Sequence, residues 1–296
     1  MDERRDAGGV SERTIALPGL EVRIAESGTG PAVLLLHGFP QTSREWARVM
    51  PHLAPVARVV AADLRGSGGT GAPDGSYRRE VLCGDAVALL DALGIERAVV
   101  VGHDVGALAA LALAVAHPDR VSRLVVLSVP PLYLRLTWSM LGSVRYLWFQ
   151  YALAVPGLGA RLLSRGRQRL PRWLFARFAS SAGGVPEADV AVYLAELRDP
   201  ARARAGSRTY RQLIVPEFLR IVLGRYRTRL PAMPTLVLLG AEDPIIPLDA
   251  LEGVERHATD VRIEIVPGAG HYLVDEQPAA VAEHIARFAG LAADGR

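Results

Sequence analysis

Five residues, Gly102-His103-Asp104-Val105-Gly106, constrain this chain more than any other stretch. They follow the apolar run Ala98-Val99-Val100-Val101 and open a second apolar stretch from Val105 to Ala116. A buried strand, a sharp turn flanked by small residues and then a helix is the context of a nucleophile elbow. Serine is the usual nucleophile at such a turn, and here Asp104 fills the position. A lone Asp at the start of a helix also reads as an N-cap, so the elbow needs support from the rest of the chain.

That support comes from the order of elements. Thr14-Ile15-Ala16-Leu17 and Glu21-Val22-Arg23-Ile24, split by Pro18-Gly19, predict an antiparallel pair. Val33 to Leu36, Arg58 to Ala62, Leu124 to Leu127, Thr235 to Leu239 and Val261 to Val266 read as further strands. Helices are expected from Ser43, as cap, to Leu53, from Arg78 to Leu93 before Gly94, from Leu248 to His257 and from Pro278 to about Ala289. Residues 1–11 are polar and expected to be disordered. The alternation predicts an α/β fold with a mostly parallel sheet and helices on both faces. It breaks between Pro131 and Arg229, where helical periodicity replaces strands. The expected organisation is a core of residues 1–130 and 230–296 with a helical cap inserted at 131–229.

In open α/β sheets reactive groups gather at the carboxyl ends of the strands. Asp104, Asp243 in Gly240-Ala241-Glu242-Asp243 and His271 in Gly268-Ala269-Gly270-His271 all follow predicted strands. Nucleophile, acid and histidine in that order form a catalytic triad. Glu242 competes with Asp243, which is preferred for its spacing after Gly240. A carboxylate is already ionised at neutral pH and can displace a leaving group from saturated carbon. The product is an ester on Asp104. His271, oriented by Asp243, would activate the water that hydrolyses it, with the N–H groups of Val105 and Phe39 as oxyanion hole. His103, His37 and His117 read as structural.

The segments His37-Gly38-Phe39-Pro40, Asp63-Leu64-Arg65-Gly66-Ser67-Gly68 and Gly102 to Gly106 together resemble the epoxide hydrolase and haloalkane dehalogenase branch of the α/β-hydrolases over roughly residues 20–290. The resemblance implies an epoxide hydrolase first, a haloalkane or haloacid dehalogenase second, and as a third class a biosynthetic cyclase or a non-hydrolytic protein with an altered cap. Haloalkane dehalogenases carry Trp directly after the nucleophile and fluoroacetate dehalogenases carry arginines there; this chain has Val105 and Leu108 in that region. Epoxide hydrolases use two cap tyrosines to protonate the ring oxygen. Tyr210 resembles the second. The first stands in a Tyr-Gln pair, and here Trp148-Phe149-Gln150 puts Phe149 in its place, with Tyr146 or Tyr151 as neighbours. One lost donor weakens alkoxide stabilisation by about 1–3 kcal/mol. His37, Pro40, Tyr146, Trp148, Phe149 and Gln150 are expected to line the substrate pocket. Tyr133, Tyr193 and Tyr226 read as packing residues.

All 34 basic residues are Arg. Seventeen fall within 131–230 against five acids, so this region carries +12 while the rest of the chain carries −9. A solvated surface accounts for the charge; attraction of an anionic substrate, an acidic carrier protein or an anionic membrane surface is the sharper reading. Nucleic acid is not expected, since no recognised module is present. Single Cys83 precludes an intrachain disulfide, the charged start lacks an apolar signal region, and a cytoplasmic monomer or homodimer without cofactor or metal is the default expectation.

Overall fold

The computed structural model describes residues 4–5, 9–130, 137–139, 146–181, 183–226, 231–252 and 260–291. Nine strands form one sheet: β1 (Arg4–Arg5), β2 (Ser11–Leu17), β3 (Leu20–Ser27), β4 (Ala32–Leu36), β5 (Arg58–Ala62), β6 (Ala98–His103), β7 (Val121–Leu127), β8 (Thr235–Gly240) and β9 (Val261–Val266). Their spatial order is β1-β2-β3-β5-β4-β6-β7-β8-β9. Pairs up to β3–β5 are antiparallel and the others parallel.

The pleat sorts each strand's side chains onto two cores. Leu34, Leu36, Val100 and Val126 face the helices α2 (Arg79–Ala92) and α3 (Val105–Ala116). Val33, Leu35, Val99, Val101, Val125 and Leu127 face Trp46, the short α1 (Met50–Leu53) and Ile285 of α10 (Pro278–Ala289). Continuous apolar strands are therefore buried on both faces, as a parallel sheet requires. The chain steps from β4 to β5 on one side and returns to β6 on the other. The carboxyl ends of β4 and β6 thus flank a topological switch point, where a crevice opens.

Between β7 and β8 lie α4 (Trp148–Ala154), α5 (Leu158–Ser164), α6 (Arg169–Phe178), α7 (Glu187–Glu196), α8 (Pro200–Thr209) and α9 (Val215–Val222). This helical segment, where a cap is expected, is tied to the sheet side by polar contacts. Arg44 and Arg48 pair with the two oxygens of Asp189 at 2.8 and 2.9 Å. Gln212 accepts from the Tyr77 N–H at 2.7 Å, and Arg208 pairs with Asp74 at 2.6 Å.

Three local expectations are corrected. Arg4–Arg5 is not disordered but pairs with Ser11 and Glu12, extending the antiparallel edge. Thr42 rather than Ser43 is the cap: its hydroxyl accepts from the Arg44 N–H, and a 3₁₀ turn Ser43–Arg48 precedes α1. The element at Leu248 is a 3₁₀ turn ending at Leu251; residues 253–259 of the expected helix lie outside the described residues. Tyr193 and Tyr226 are buried as expected, whereas Tyr133 lies outside the described residues. Among the described residues no helix is long and apolar enough to cross a membrane.

Candidate active site

Asp104 occupies the turn between β6 and α3 at φ 46° and ψ −110°, a conformation that costs a non-glycine residue about 1–3 kcal/mol. The flanking glycines explain how the turn closes. A Cβ on Gly102 would meet the Gly106 carbonyl at 2.4 Å, and one on Gly106 would meet the Leu36 carbonyl at 2.2 Å. The strained turn lifts the Asp104 carboxylate to the head of the sheet.

His271, in the loop after β9, directs Nδ1 to Asp243 Oδ2 at 2.8 Å. The other Asp243 oxygen accepts the Ile245 N–H at 2.8 Å, which fixes the carboxylate. Glu242, the competing acid, instead accepts from the Ser181 N–H and hydroxyl. His271 Nε2 faces Asp104 Oδ1 at 3.9 Å, an ion-pair distance too long for a direct hydrogen bond. Asp104 Oδ2 accepts the Phe39 N–H at 3.0 Å. The Val105 N–H is first in α3 and has no intrahelical acceptor. Of the two N–H groups expected as oxyanion hole, that of Phe39 is bonded to the carboxylate, and that of Val105 directly follows Asp104 at the start of α3.

The charges of this set are coupled. Burial alone would lower the His271 pKa, but Asp243 and Asp104 outweigh it and push it up to about 10. Burial would likewise raise Asp104, but the His271 and His103 charges and the Phe39 N–H hold it below its ordinary value. The site thus rests as a carboxylate–imidazolium pair at neutral pH. Cancelling the charge of Asp104 removes one of the two groups that hold the proton on His271. Asp104→Asn is accordingly expected to lower the His271 pKa from about 10, which NMR titration of the imidazole would measure; an unmoved pKa would contradict the coupling.

A cavity of about 110 Å³ opens on this set. Its walls are mostly apolar and include Phe39, Leu108, Phe149, Phe178, Phe218 and Ile246. Polar groups reach it from Asp104, His271, Gln150, Tyr210, Tyr272 and Ser128. Tyr210 sits where the helical path through α8 and α9 loosens into a π-helical turn, Tyr210–Ile214, a feature that often re-aims a functional side chain. The rings of Phe39 and Phe149 pack against it at 5.2 and 6.0 Å. Neither the Tyr210 nor the Tyr272 hydroxyl has a hydrogen-bond partner among the described residues. Burial and the Asp104 charge raise both phenols well above 10, so each stays neutral and able to donate.

Four expected pocket residues lie elsewhere. His37 bonds the Gly38 carbonyl and accepts the Leu64 N–H, and with Pro40 it lines a separate small cavity behind Phe39. Trp148 is 52% exposed because it stands on the outer side of α4, beside Trp173. Tyr146 is held by Phe178 and by the Arg177 guanidinium 4.1 Å over its ring. Phe149 and Gln150 do line the cavity, and no arginine does so among the described residues.

A family model described as "alpha/beta hydrolase fold" matches residues 31–278. The chain belongs to the α/β-hydrolase family. Within it, a fluoroacetate dehalogenase of Burkholderia sp. is 32% identical over 97% of this chain and 96% of that protein. An epoxide hydrolase of Caballeronia sordidicola is 48% identical, over 42% of this chain and 38% of its own length. The crystal structure of epoxide hydrolase A from Mycobacterium thermoresistibile superposes with a TM-score of 0.78 at 28% identity, covering 94% of this chain and 98% of that one.

Three features of this α/β-hydrolase were not visible in its sequence. Tyr272 directly follows His271 and adds a phenol to the cavity. Ser128 donates to the His271 carbonyl at 2.7 Å. His103 bridges that same carbonyl at 2.9 Å and Glu45 Oε2 at 3.1 Å, so both its ring nitrogens act as donors when it is protonated. Burial opposes that charge and Glu45 more than offsets it, raising the His103 pKa. The backbone of His271 is thereby gripped from below. Among the described residues no group of three or more His, Cys, Asp or Glu side chains is arranged to hold a metal ion.

Proposed function

We propose that this α/β-hydrolase is an epoxide hydrolase that forms an ester on Asp104. The observation that carries the reading is the pairing of an aspartate at the elbow with two phenols that have no hydrogen-bond partner among the described residues, in one apolar cavity that lacks arginine among its described lining. Asp104 Oδ1 attacks a ring carbon. The C–O bond breaks, its electron pair goes to the ring oxygen, and Tyr210 and Tyr272 donate to that oxygen. Asp104 is now a neutral ester, so His271 loses one anionic partner and its proton passes to the ring-opened oxygen, which becomes the first hydroxyl. Neutral His271 then takes a proton from water as the water attacks the Asp104 carboxyl carbon. The oxyanion forms on Oδ2, beside the Phe39 and Val105 N–H groups. Collapse breaks the bond between the carboxyl carbon and Oδ1, the departing alkoxide takes the carboxyl proton, and the diol, the Asp104 carboxylate and protonated His271 remain.

Two features separate this reading from dehalogenation. A haloacid brings a carboxylate, which needs a cation to offset its desolvation; the described cavity lining offers none besides the catalytic histidine. A departing halide needs N–H donors, and no Trp is among the described lining residues. An assay panel of styrene oxide and long-chain epoxides, scored for diol, tests the reading against fluoroacetate and haloalkanes, scored for halide. Diol without halide is expected, and fluoride release from fluoroacetate would sink the proposal. The core and cap boundaries at 130 and 230 remain part of the same proposal.

Assigning the second donor to Tyr272 has its own test. Phe149→Tyr is expected to change epoxide turnover by less than about threefold, because the donor pair is already complete. A rise of about tenfold or more would place the second donor at position 149 instead.

A further inference from the structure

The large apolar side chains exposed on this molecule, among the described residues, all belong to the cap. They are Trp138, Trp148, Tyr151, Val155, Leu158, Leu219 and Leu223. Trp148 and Tyr151, three residues apart, share one side of α4; Val155 caps that helix in an extended conformation and Leu158 opens α5 after the turn, so the exposed apolar surface runs from α4 to the start of α5. Leu219 and Leu223 form a second stripe on and just beyond α9, which packs against α4. Both helices have an opposite side in the catalytic cavity, through Phe149 and Gln150 of α4 and Phe218 and Ile221 of α9. The outward apolar surface is therefore the back of the cavity wall.

Trp148 leads from that surface to a cluster of arginines. Its ring lies 5.7 Å from that of Trp173. Trp173 in turn lines an open surface depression with Arg167, Arg169, Arg172 and Arg198. Arg167 and Arg169 are exposed and have no ion pair among the described residues, while Arg172 has only a solvent-exposed contact with Glu187 at 3.3 Å. Four guanidinium groups around one depression match the phosphate of a lipid head group, and the adjoining Trp, Tyr, Val and Leu side chains match the interface beneath it.

We propose that the cap docks on an anionic lipid bilayer, with phosphate head groups at Arg167, Arg169, Arg172 and Arg198 and the α4 and α9 stripes in the interface. The charge asymmetry fixes the orientation, since the cap is strongly basic and the rest of the chain acidic. Docking sets the cavity wall against the phase in which apolar epoxides concentrate. The docking claim itself stands whatever reaction the site performs.

The test is co-sedimentation of the full chain with vesicles of phosphatidylglycerol and phosphatidylcholine, and with vesicles of phosphatidylcholine alone, with tryptophan emission recorded in parallel. Binding to the anionic vesicles is expected to exceed binding to neutral ones by about tenfold or more, to weaken as salt is raised, and to shift the emission to the blue. Arg167→Gln with Arg169→Gln is expected to cut anionic binding by about fivefold or more and leave turnover of a soluble substrate unchanged. Tyr151→Ser with Leu223→Ser is expected to reduce both binding and the emission shift. Equal or absent binding to the two vesicle types would overturn the proposal. So would capture of inorganic phosphate without vesicle binding, or a stable dimer by light scattering in which the exposed tryptophans are shielded.

Discussion

His271→Asn is expected to stop turnover at the covalent ester. Epoxide should be consumed once per active site, with the protein gaining the mass of the substrate on Asp104. Steady-state diol formation should fall by at least about 10⁴-fold, the scale seen when a catalytic base or nucleophile is removed. The reason lies in the division of labour. Asp104 is an ionised carboxylate before substrate arrives and does not need His271 to create its charge. The second step needs a neutral imidazole near the ester, and among the described residues His271 supplies it, 3.9 Å from Asp104 Oδ1. Asp104→Asn should lose turnover on the same scale without any mass gain. Intact mass spectrometry distinguishes the two variants, and an unmodified His271→Asn protein after incubation with epoxide would contradict the assignment.

Removing the phenols should act on the opposite step. Tyr210→Phe and Tyr272→Phe are each expected to slow ester formation by about 10- to 100-fold, as expected for one lost donor to a developing oxyanion. The double variant should lose ring opening almost entirely. Hydrolysis of an ester already formed should change little, because that step draws on Phe39, Val105 and His271. Rapid-quench measurement of the two steps separates these outcomes. A Tyr272→Phe protein with normal ester formation would return the ring-oxygen role to Tyr210 alone. Both phenols are buried under the field of Asp104, which raises their pKa well above 10. The expected effects should therefore hold across neutral pH.

The order of elements and the meeting of Asp104, Asp243 and His271 were legible in the sequence for a common reason. Strands buried on both faces read as uninterrupted apolar runs, and the residues that end them, Asp104, Asp243 and His271, stand out against that background. The elbow glycines are equally plain, because no side chain fits where Gly102 and Gly106 sit. The cavity wall was less legible. Trp148 and Phe149 are neighbours in sequence, but successive helical residues point about 100° apart, so one faces solvent and the other the cavity. Nothing local marks which is which. His37 ends a strand beside the nucleophile, yet its ring is spent on backbone groups. Glu45 and His103 meet from 58 residues apart, a contact only the folded sheet creates. Tyr272 reads as an ordinary apolar residue in a short turn until the cavity is seen to reach it.

The central claim is that Asp104 is covalently joined to the substrate during turnover. A single turnover of epoxide in oxygen-18 water, followed by mass analysis of the Asp104 peptide and of the diol, tests it directly. The ester route predicts label in the Asp104 carboxylate and an unlabelled first diol, because water attacks the carboxyl carbon and the diol takes its second oxygen from Asp104. Label in the first diol with none in Asp104 would mean that water opens the ring directly, and would contradict the account.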